Sequence, residues 1–542
     1  MACVLIRKSV SLFSALLWER FFLLVFSFSY PYSIFRLLPP ECYANRMIDR
    51  IRTVLWYAFV FLLPWQTVWI VREVFVGGEK WQYATVGLYV SDAALLLCAV
   101  FFLFGTRREG WRGVVRDRVV LMLGVLFVWA LLSSAWAVDA NLTFLSAWRL
   151  LLMMLAFVLA RYSDVSMRKT LLVFLVSMAL QAMLAISQWV GQYVAPSTLL
   201  GVAEHDPAQW GTFVLKTESG RFLRAYGGFE HPNVLGGALA VALLFGVWLS
   251  ATAKRIFSRA VFLGMTAIMS FSPVFTFSRS GWMAFGIGVF FFLILSSCCS
   301  SSICSRGGSG TEENTFSHQL LSIGAHVRKN IFFCSFRLSW LQRNCLSLDV
   351  AKQSFRTTLV IMILSFSIAF FLVCDIALSR FSEGTLAREG SFSDRALYFE
   401  QALSVIREHL VLGVGGGNFT AFTRERLPSA GTFVGAFQPV HTVPILICAE
   451  LGVVGFLLFL LVLLLWFSSA WRNGNMLSLA VFSLLLPILF LDHWIWSGHF
   501  GMVFFGFLLG VCLRMDLGSE SVIPSARSRS SRRGRRGGGD VF

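Results

Sequence analysis

The residues best suited to chemistry lie in one polar segment, 378–441, of a chain that is otherwise strongly apolar. The segment holds Arg388 and Arg395 and ends in Gln438-Pro-Val-His441, directly before an apolar run over 443–467. Arginine keeps its charge at physiological pH and binds phosphate through two parallel hydrogen bonds. Imidazole near a helix N-terminus stays neutral and can accept a proton. The segment therefore predicts an anion site beside a general base, His441.

Two other places put polar residues against apolar runs. Arg279 stands in Phe277-Ser-Arg-Ser-Gly-Trp282 between two runs with almost no loop. An ionisable group at membrane depth is functional by default. A second group of polar residues lies just before the apolar run over 234–252. It comprises Arg221, Arg224, His231 and Asn233. The two arginines are candidates for binding phosphate, and His231, which Pro232 follows, is either a proton acceptor or a helix cap.

Less specific interpretations stay open. Loop arginines taken singly are commonly solvated surface charges, and His441 by position alone also fits a polar residue at the membrane interface. The segment from Gly413 to Phe419 lacks the spacing of a dinucleotide-binding or P-loop motif and is typical of a flexible turn after a loop helix over 394–409. Glu450 is interpreted as a polar contact inside the bundle. Charged residues inside apolar runs fit either function or structural ion pairs: Asp92, Arg149 and Asp375.

The segments placed outside contain no paired carboxylates, no Ser-His-Asp set and no Asp-x-Asp motif, so neither a metal nor another cofactor is expected. The chain has 11 cysteines, and none lies in the stretches placed outside, so no disulfide framework is indicated. The cysteines within 298–345 lack paired Cys-x-x-Cys spacing. A plain insertion is therefore favoured over a zinc site there.

Composition sets the broad class. Hydrophobic residues make up 57% and charged residues 14% of the chain, against roughly 25% charged residues in a soluble domain. Repeated runs of ~18–25 apolar residues then have to be bilayer spans. The formal charge of +17 is spread over the connections and the C-terminal tail. This distribution argues against nucleic acid as a partner and favours membrane lipids.

We predict an all-α membrane protein with about twelve transmembrane helices and a large helical external loop at 378–441. The predicted spans are 54–71, 84–104, 119–137, 142–159, 170–190, 234–252, 260–276, 282–299, 358–377, 443–467, 476–491 and 501–513. Lysine and arginine concentrate in alternate short connections, which places both ends of this unit in the cytoplasm. Residues 191–233 and 378–441 then lie outside.

The membrane unit is predicted to extend over 47–514. Residues 1–46 form a patchy apolar stretch without a signal-peptide cleavage site and are predicted to be an extension with no role in function. The serine-rich, basic segment 300–357 is predicted to be a cytoplasmic insertion, either a surface helix or disordered. Residues 515–542 are predicted to be a basic, disordered cytoplasmic tail attracted to anionic lipid.

Taken in order, several short motifs resemble the O-antigen ligase and O-antigen polymerase superfamily, which are bacterial membrane glycosyltransferases of the GT-C type. The motifs are Gly228-Phe-Glu-His-Pro-Asn233, Ser278-Arg-Ser-Gly281, Ser393-Asp-Arg395, the stretch from Glu408 to Phe419, Gln438-Pro-Val-His441 and Ala449-Glu-Leu-Gly452. The resemblance covers residues 50–514 and is strongest over 224–455. Each motif is short, but their order and spacing together make the resemblance specific.

The resemblance implies a GT-C-like fold in the bacterial inner membrane, with Arg279, Arg395 and His441 catalytic on the periplasmic face. The residues that are then candidates for binding diphosphate or glycan are Arg224, Arg221, His231, Asn233 and Arg388. Family members usually have asparagine after the histidine, whereas Thr442 stands here. The histidine expected to act as the base is present, but the residue that follows it differs from the family's asparagine.

The leading hypothesis is an inner-membrane glycan ligase or polymerase. It would transfer an oligosaccharide from a polyprenyl-diphosphate carrier to an acceptor hydroxyl on the external face, without a metal and with inversion at the anomeric carbon. The acceptor is left open among a lipid, a growing glycan and a protein. The alternative is a transporter of lipid-linked oligosaccharides without catalysis. Transporters usually show internal repeats and midplane binding sites, and the sequence shows no convincing repeat.

Reporter fusions test the orientation. Fusions after Asn141, Gly220 and Ala430 are expected to report the outside, and fusions after Arg112, Lys254 and Ser309 the cytoplasm, because positive charge stays inside. Paired reporters, each active on one side only, provide the measurement. A cytoplasmic signal at Ala430 would contradict the orientation and remove the segment 378–441 from the external face.

Overall fold

The computed structural model describes residues 40–76, 78–105, 108–218, 220–304, 348–379, 391–426 and 437–516. The chain divides into two units, 1–51 and 52–542. The first unit is described only over 40–51, as the N-terminal part of a helix. All the other described elements belong to the second unit. Of the predicted features, the extension 1–46, the insertion 300–357 and the tail 515–542 fall largely outside the described residues.

Helices hold most of the described residues. They are α1 (Pro40–Leu62), α2 (Val90–Gly105), α3 (Arg108–Arg116), α4 (Arg118–Leu132), α5 (Ala140–Tyr162), α6 (Met167–Gly191), α7 (Pro232–Ala251), α8 (Ile256–Phe271), α9 (Pro273–Thr276), α10 (Arg279–Cys304), α11 (Leu348–Leu372), α12 (Cys374–Ser379), α13 (Ser391–Glu408), α14 (Phe419–Arg426), α15 (Val443–Asn473), α16 (Met476–Leu491), α17 (Trp494–Ser497) and α18 (His499–Asp516). The strands are β1 (Val68–Arg72), β2 (Phe75–Val76), β3 (Glu79–Lys80), β4 (Val86–Tyr89), β5 (Val214–Thr217) and β6 (Gly220–Leu223).

The predicted spans coincide with helices except at two ends. The prediction of a span over 84–104 is wrong before Val90, where α2 begins, because Val86–Tyr89 form β4. The prediction of a span over 54–71 is wrong beyond Leu62, where α1 ends, because Val68–Arg72 form β1. Within the described ranges, seven helices are long and apolar enough to cross a bilayer, and three apolar helices are shorter. The chain is therefore a multi-pass membrane protein. The larger count of about twelve spans stays a prediction.

Three two-stranded antiparallel sheets depart from the predicted all-α fold. β1 pairs with β4 from Val68↔Tyr89 onward, β2 pairs with β3, and β5 pairs with β6 in a hairpin. All three lie in connections between helices. Most of β1 and all of β4 fall within the predicted spans 54–71 and 84–104, whereas the other strands fall in predicted loops. A connection has to satisfy its own backbone hydrogen bonds, and a short hairpin does this locally.

Side-chain caps fix where several helices begin. Asp117 accepts a hydrogen bond of 2.8 Å from the Val119 amide at the start of α4. Nδ1 of His231 accepts a bond of 2.9 Å from the Asn233 amide at the start of α7. These caps satisfy amides that have no partner inside the helix. The interpretation of His231 as a helix cap is confirmed.

The centre of the described bundle is α7, whose apolar stretch is 89% buried. It packs against α8, α10 and α11, while α18 packs along α5 and α15 packs against α4. A helix that is apolar on every side belongs inside a bundle, because no face of it needs water. His231 directly precedes α7, Arg279 is the first residue of α10, and His441 lies two residues before α15.

Helix α15 is interrupted at Gly452, which has φ 68° and ψ −174°. Only glycine adopts this conformation readily. The interruption frees the carbonyl groups of Ala449 and Glu450 and the amide of Val453 from bonds within the helix. Such groups cost several kcal/mol each if they stay unpaired in an apolar bundle. A neighbouring segment has to pair with them.

The glycine-rich segment over 413–418 supplies most of that pairing. The Val414 amide donates to the Ala449 carbonyl at 3.0 Å, and the Gly415 amide donates to the Glu450 carbonyl at 2.9 Å. Just before it, the Leu410 carbonyl accepts from the Val453 amide at 2.8 Å. The interpretation of this segment as a flexible turn is wrong, because its backbone completes the hydrogen bonds of an interrupted helix.

The Glu450 side chain holds the same region together. It is buried, and its Oε2 accepts a hydrogen bond of 2.9 Å from Trp496 Nε1 in α17. Amides of the glycine-rich segment and of the start of α14, Gly417 and Phe419, also donate to it. The predicted role of Glu450 as a polar contact inside the bundle is confirmed.

We expect Gly452→Ala to destabilise the protein. A side chain at this φ costs about 1–3 kcal/mol, and its Cβ would also collide with the Val411 carbonyl oxygen. The measurement is the midpoint of thermal unfolding of purified protein in detergent. The control is Gly124→Ala in α4, where a Cβ has open space and alanine favours the helix. Equal midpoints for Gly452→Ala and wild type would contradict this account of the interruption.

Candidate active site

His441 lies in the turn that leads into α15, one residue before Thr442, the N-cap of that helix. The Thr442 amide donates to the Val440 carbonyl at 2.8 Å, and Thr442 Oγ1 donates to the Phe490 carbonyl at 3.3 Å. The first bond lies within the turn, and the second ties the turn to the C-terminal end of α16. Thr442, which stands where the resembling family has asparagine, thus helps to fix the position of His441.

Two aromatic rings enclose the imidazole of His441. The Tyr398 ring lies nearly parallel to it at 6.1 Å, and the His493 ring lies edge-on at 4.7 Å between centroids. His493 follows the end of α16, and its Nδ1 is 2.6 Å from Ser497 Oγ. His441 is therefore held in a fixed orientation by residues from α13 and from the turn before α17.

The electrostatic surroundings keep His441 neutral. Burial, then the charges at His493 and Arg395, lower the pKa of His441 to about 2, although the Pro439 carbonyl acts in the opposite direction. Within the described residues, the buried Nδ1 of His441 has no hydrogen-bond partner. A neutral imidazole at a helix start with an unused nitrogen can accept a proton.

Arg395 lies beside this histidine, and Arg279 lies near Arg395. Arg395 is on α13, one turn before Tyr398, so both side chains lie on the same face of the helix. Burial lowers the pKa of Arg395, Asp492 raises it, and the nearby positive charge of Arg279 lowers it. Neither guanidinium donates a hydrogen bond to any residue that the structure describes. Two adjacent, unpaired guanidinium groups form a site for an anion.

The motif Ser278-Arg-Ser-Gly281 forms a capped helix start. Phe277 has a left-handed backbone with φ 46°, and Ser278 Oγ accepts the Gly281 amide at 3.1 Å. Arg279 is consequently the first residue of α10, where the helix amides also favour a negative charge. The sequence analysis predicted Arg279 at a tight junction between spans, and the structure places it there.

A series of hydrogen bonds links Arg224, Asn233 and Asp492 next to the site. Arg224 donates to the Thr276 carbonyl at 2.8 Å and to Asn233 Oδ1 at 2.6 Å, and Asn233 Nδ2 donates to Asp492 Oδ2 at 2.9 Å. The other oxygen of Asp492 accepts the His493 amide at 2.9 Å. Arg224 and Asn233 are thus engaged with the protein, and they connect α7 to the turn that carries His493.

A cavity of about 240 Å³ opens beside His441. The β1–β4 hairpin and the segment within it form one wall, which includes Tyr83 and Tyr89. The polar residues of the other walls are Arg149, Glu230, His231, Asn233, Gln438, His441, Asp492, His493, Ser497 and His499. The structure therefore brings residues from distant parts of the chain, including three predicted site residues, to a single cavity.

The remaining predicted site residues lie elsewhere. Arg221 is on β6, where its guanidinium donates to the Pro207 and Gln209 carbonyl groups at 2.6 and 3.4 Å, away from the cavity lining. Arg388 lies outside the described residues. Within the described part of the chain, no group of three or more His, Cys, Asp or Glu residues is arranged to hold a metal ion.

Sequence reasoning missed His493, Asp492, Tyr398 and Glu230. Asp492 and His493 stand together between two apolar runs, which is the same signal that singled out Arg279. Glu230 lies inside the motif that ends at Asn233, yet no role was assigned to it. Tyr398 carried no signal, because only the packing of α13 against the turn before α15 brings it to His441.

A family model described as O-antigen ligase matches residues 331–460. The match includes Arg395 and His441, and Arg279 lies before it. The resemblance noted in the sequence is confirmed at the level of the O-antigen ligase and polymerase superfamily, which supports a glycosyltransferase-like membrane enzyme. No curated protein matches the chain.

The pKa of His441 can be tested directly. We expect its imidazole to stay neutral from pH 8 to pH 5, because burial and nearby positive charge hold the pKa far below 6.5, the ordinary value for histidine. Arg395→Gln should raise this pKa only in part, since burial is the largest cause. NMR titration of histidine-labelled protein, with His441→Gln to assign the signal, provides the measurement. A midpoint near 6.5 would contradict the described burial.

Proposed function

With the O-antigen ligase and polymerase superfamily supported by the family match, we propose that the protein transfers a glycan from a polyprenyl-diphosphate carrier to an acceptor hydroxyl. The transfer takes place on the external face of the bacterial inner membrane. One observation carries this proposal: Arg395, which is unpaired and close to the unpaired Arg279, lies beside a neutral, oriented histidine, His441. This combination fits a reaction with an anionic leaving group and a proton to remove.

Arg279 and Arg395 bind the diphosphate of the donor. Their guanidinium groups repel each other in the described structure, and an anion between them relieves that repulsion. They also stabilise the negative charge that develops on the leaving diphosphate, which is the role that metal ions have in many other transferases. Because their environment is partly buried, these interactions are stronger than in water.

His441 acts as the general base. Its low pKa in the empty site comes partly from Arg395, and a bound diphosphate offsets that positive charge. Donor binding therefore raises the proton affinity of His441 at the moment when it is needed. The contacts with Tyr398 and His493 keep the ring in the orientation required for proton transfer.

The reaction is a single displacement. The acceptor oxygen attacks the anomeric carbon and forms the new glycosidic bond while its proton moves to His441. The bond between the anomeric carbon and the diphosphate oxygen breaks, and the polyprenyl diphosphate leaves with the electron pair. Attack opposite to the leaving group inverts the anomeric configuration. Asn233 and Arg224 act by positioning the turn that holds His493.

Substitution at the three central residues tests this mechanism. His441→Ala should lower kcat by ~10²–10⁴ with the donor KM largely kept, because general-base catalysis contributes about that much. Arg395→Lys should be nearly as damaging as Arg395→Ala, since a point charge cannot replace a bidentate fork. Transfer from a purified polyprenyl-diphosphate glycan in liposomes is the assay, with and without EDTA.

The matched control is Arg407→Lys, which changes an exposed arginine on the same helix, α13, and should leave transfer unchanged. Near-normal turnover by His441→Ala would contradict the role of the base. An absolute requirement for added divalent metal would contradict the role of the arginines. Movement of the lipid-linked glycan across the membrane without any transfer would favour the transporter.

A further inference from the structure

The short helix α3 lies at the end of the described bundle that is far from the candidate active site. It contacts the C-terminal end of α5, where Tyr162 Oη is 3.3 Å from the Gly113 carbonyl oxygen. The other end of α5 lies beside the glycine-rich segment, because the Asp139 amide donates to Asn418 Oδ1 at 2.8 Å. With 23 residues α5 is about 35 Å long, which is enough to cross a bilayer. Helix α3 is therefore at the opposite membrane surface, which the predicted orientation makes the cytoplasmic one.

Side-chain contacts fix how α3 lies against the bundle. Asp117, which directly follows α3, forms an ion pair of 2.6 Å with Arg161 of α5. The Trp111 ring packs edge-on against the Phe102 ring of α2 at 5.6 Å between centroids. Val114 is buried, so its face of the helix points into the protein. The opposite face of α3 consequently points away from the bundle.

That outward face of α3 carries arginines. Arg112 and Arg116 are one turn apart, so they share a face of the helix, and both side chains are exposed. In the part of the chain that the structure describes, no residue forms a hydrogen bond or an ion pair with either guanidinium. Arg118, exposed at the start of α4, adds a third positive charge, and the adjacent carboxylate of Asp117 is already paired with Arg161. These guanidinium groups are free to bind an anion.

Apolar side chains are exposed beside these arginines. Val115 of α3 is 74% exposed, and Leu103 and Phe104 at the end of α2 are exposed as well. This apolar surface continues along α2, an apolar helix on which Leu97 and Val100 are also exposed. A basic face next to an apolar flank is the composition of helices that lie between lipid headgroups and acyl chains. A soluble anion could pair with the arginines but would leave the apolar flank uncovered.

We propose that α3 is an interfacial helix that binds the phosphate groups of anionic phospholipids through Arg112 and Arg116, with Val115 among the acyl chains. A guanidinium binds a phosphate through two parallel hydrogen bonds, and each basic residue near an anionic membrane surface strengthens the attraction about fivefold. A zwitterionic lipid offsets its phosphate charge within its own headgroup and is attracted less. The inference does not rest on the proposed function, because this surface is separate from the candidate active site.

Fluorescence quenching at Trp111 tests the inference at the site itself. The protein is reconstituted in liposomes that contain brominated phosphatidylglycerol or brominated phosphatidylcholine, and the Trp111→Phe variant, measured in parallel, isolates the signal of Trp111. The ratio of the two lipid association constants gives the preference for the anionic lipid. Arg112→Gln should lower this ratio about fivefold, and Arg112→Gln with Arg116→Gln about 25-fold, because each arginine contributes separately. Lysine at both positions should keep most of the preference, since the positive charge is retained.

The matched control replaces two exposed arginines on other elements, Arg255→Gln with Arg472→Gln. It removes the same charge from the protein and should leave the lipid preference at Trp111 unchanged. An equal fall in both double variants would show that net charge alone sets the preference, and it would overturn the inference. Equal quenching of wild-type Trp111 by the two brominated lipids would overturn it as well.

Salt provides a test that needs no change at the arginines. At about 1 M salt the Debye length is about 3 Å, so the preference of wild-type protein for the anionic lipid should fall. A preference that salt does not change would overturn the inference, because the binding would then not be electrostatic. The thermal unfolding midpoint of each variant in uncharged detergent should equal that of wild type, since the replaced side chains are exposed.

Discussion

The interruption of α15 at Gly452 is the constraint on which the described site depends. A helix broken inside an apolar bundle exposes carbonyl and amide groups that have to be paired. The segment around the glycine-rich stretch pairs with them, and indole groups of Trp129 and Trp136 donate to the Leu451 and Leu412 carbonyl groups at 2.9 and 3.3 Å. The connection that carries α13 and α14 is thereby fixed to the helix that begins beside His441.

The Glu450 carboxylate extends this constraint to the other histidine. By accepting from Trp496 it holds α17, and the turn before α17 carries Asp492 and His493. A buried carboxylate is retained only when its hydrogen bonds are satisfied, and here two separate segments supply them, α17 and the stretch over 417–419. This one buried group in α15 therefore connects that helix to the glycine-rich segment and to α17. As a result, the rings of His441 and His493 contact each other.

The electrostatics of the site follow from two arginines and two histidines that lie close together in a partly buried place. Arg395 lies near Arg279, and His441 lies near Arg395 and His493. Within the described residues, Asp492 is the carboxylate that acts on several of them, and its two oxygens are already engaged by Asn233 and by the His493 amide. In the function proposed above, an anionic donor neutralises this excess of positive charge.

The sequence alone determined the class of protein and the approximate positions of most of the described membrane helices. Apolar runs of bilayer length and the caps at their starts are local properties, because each depends on a few consecutive residues. Local signals also singled out Arg279, Arg395 and His441, and the loop helix over 394–409 was predicted correctly as α13. Their juxtaposition was expected only from the proposed orientation and the family resemblance.

Only the tertiary structure decided how the site is assembled. The docking of the glycine-rich segment depends on an interruption in a helix about forty residues further on, and glycine by itself is equally typical of a flexible turn. Arg221 and Arg224 look alike in sequence, yet one bonds to a surface loop and the other supports Asn233. The hydrophobic pattern places a residue on a helix but not beside its partner, since packing between distant segments sets that distance.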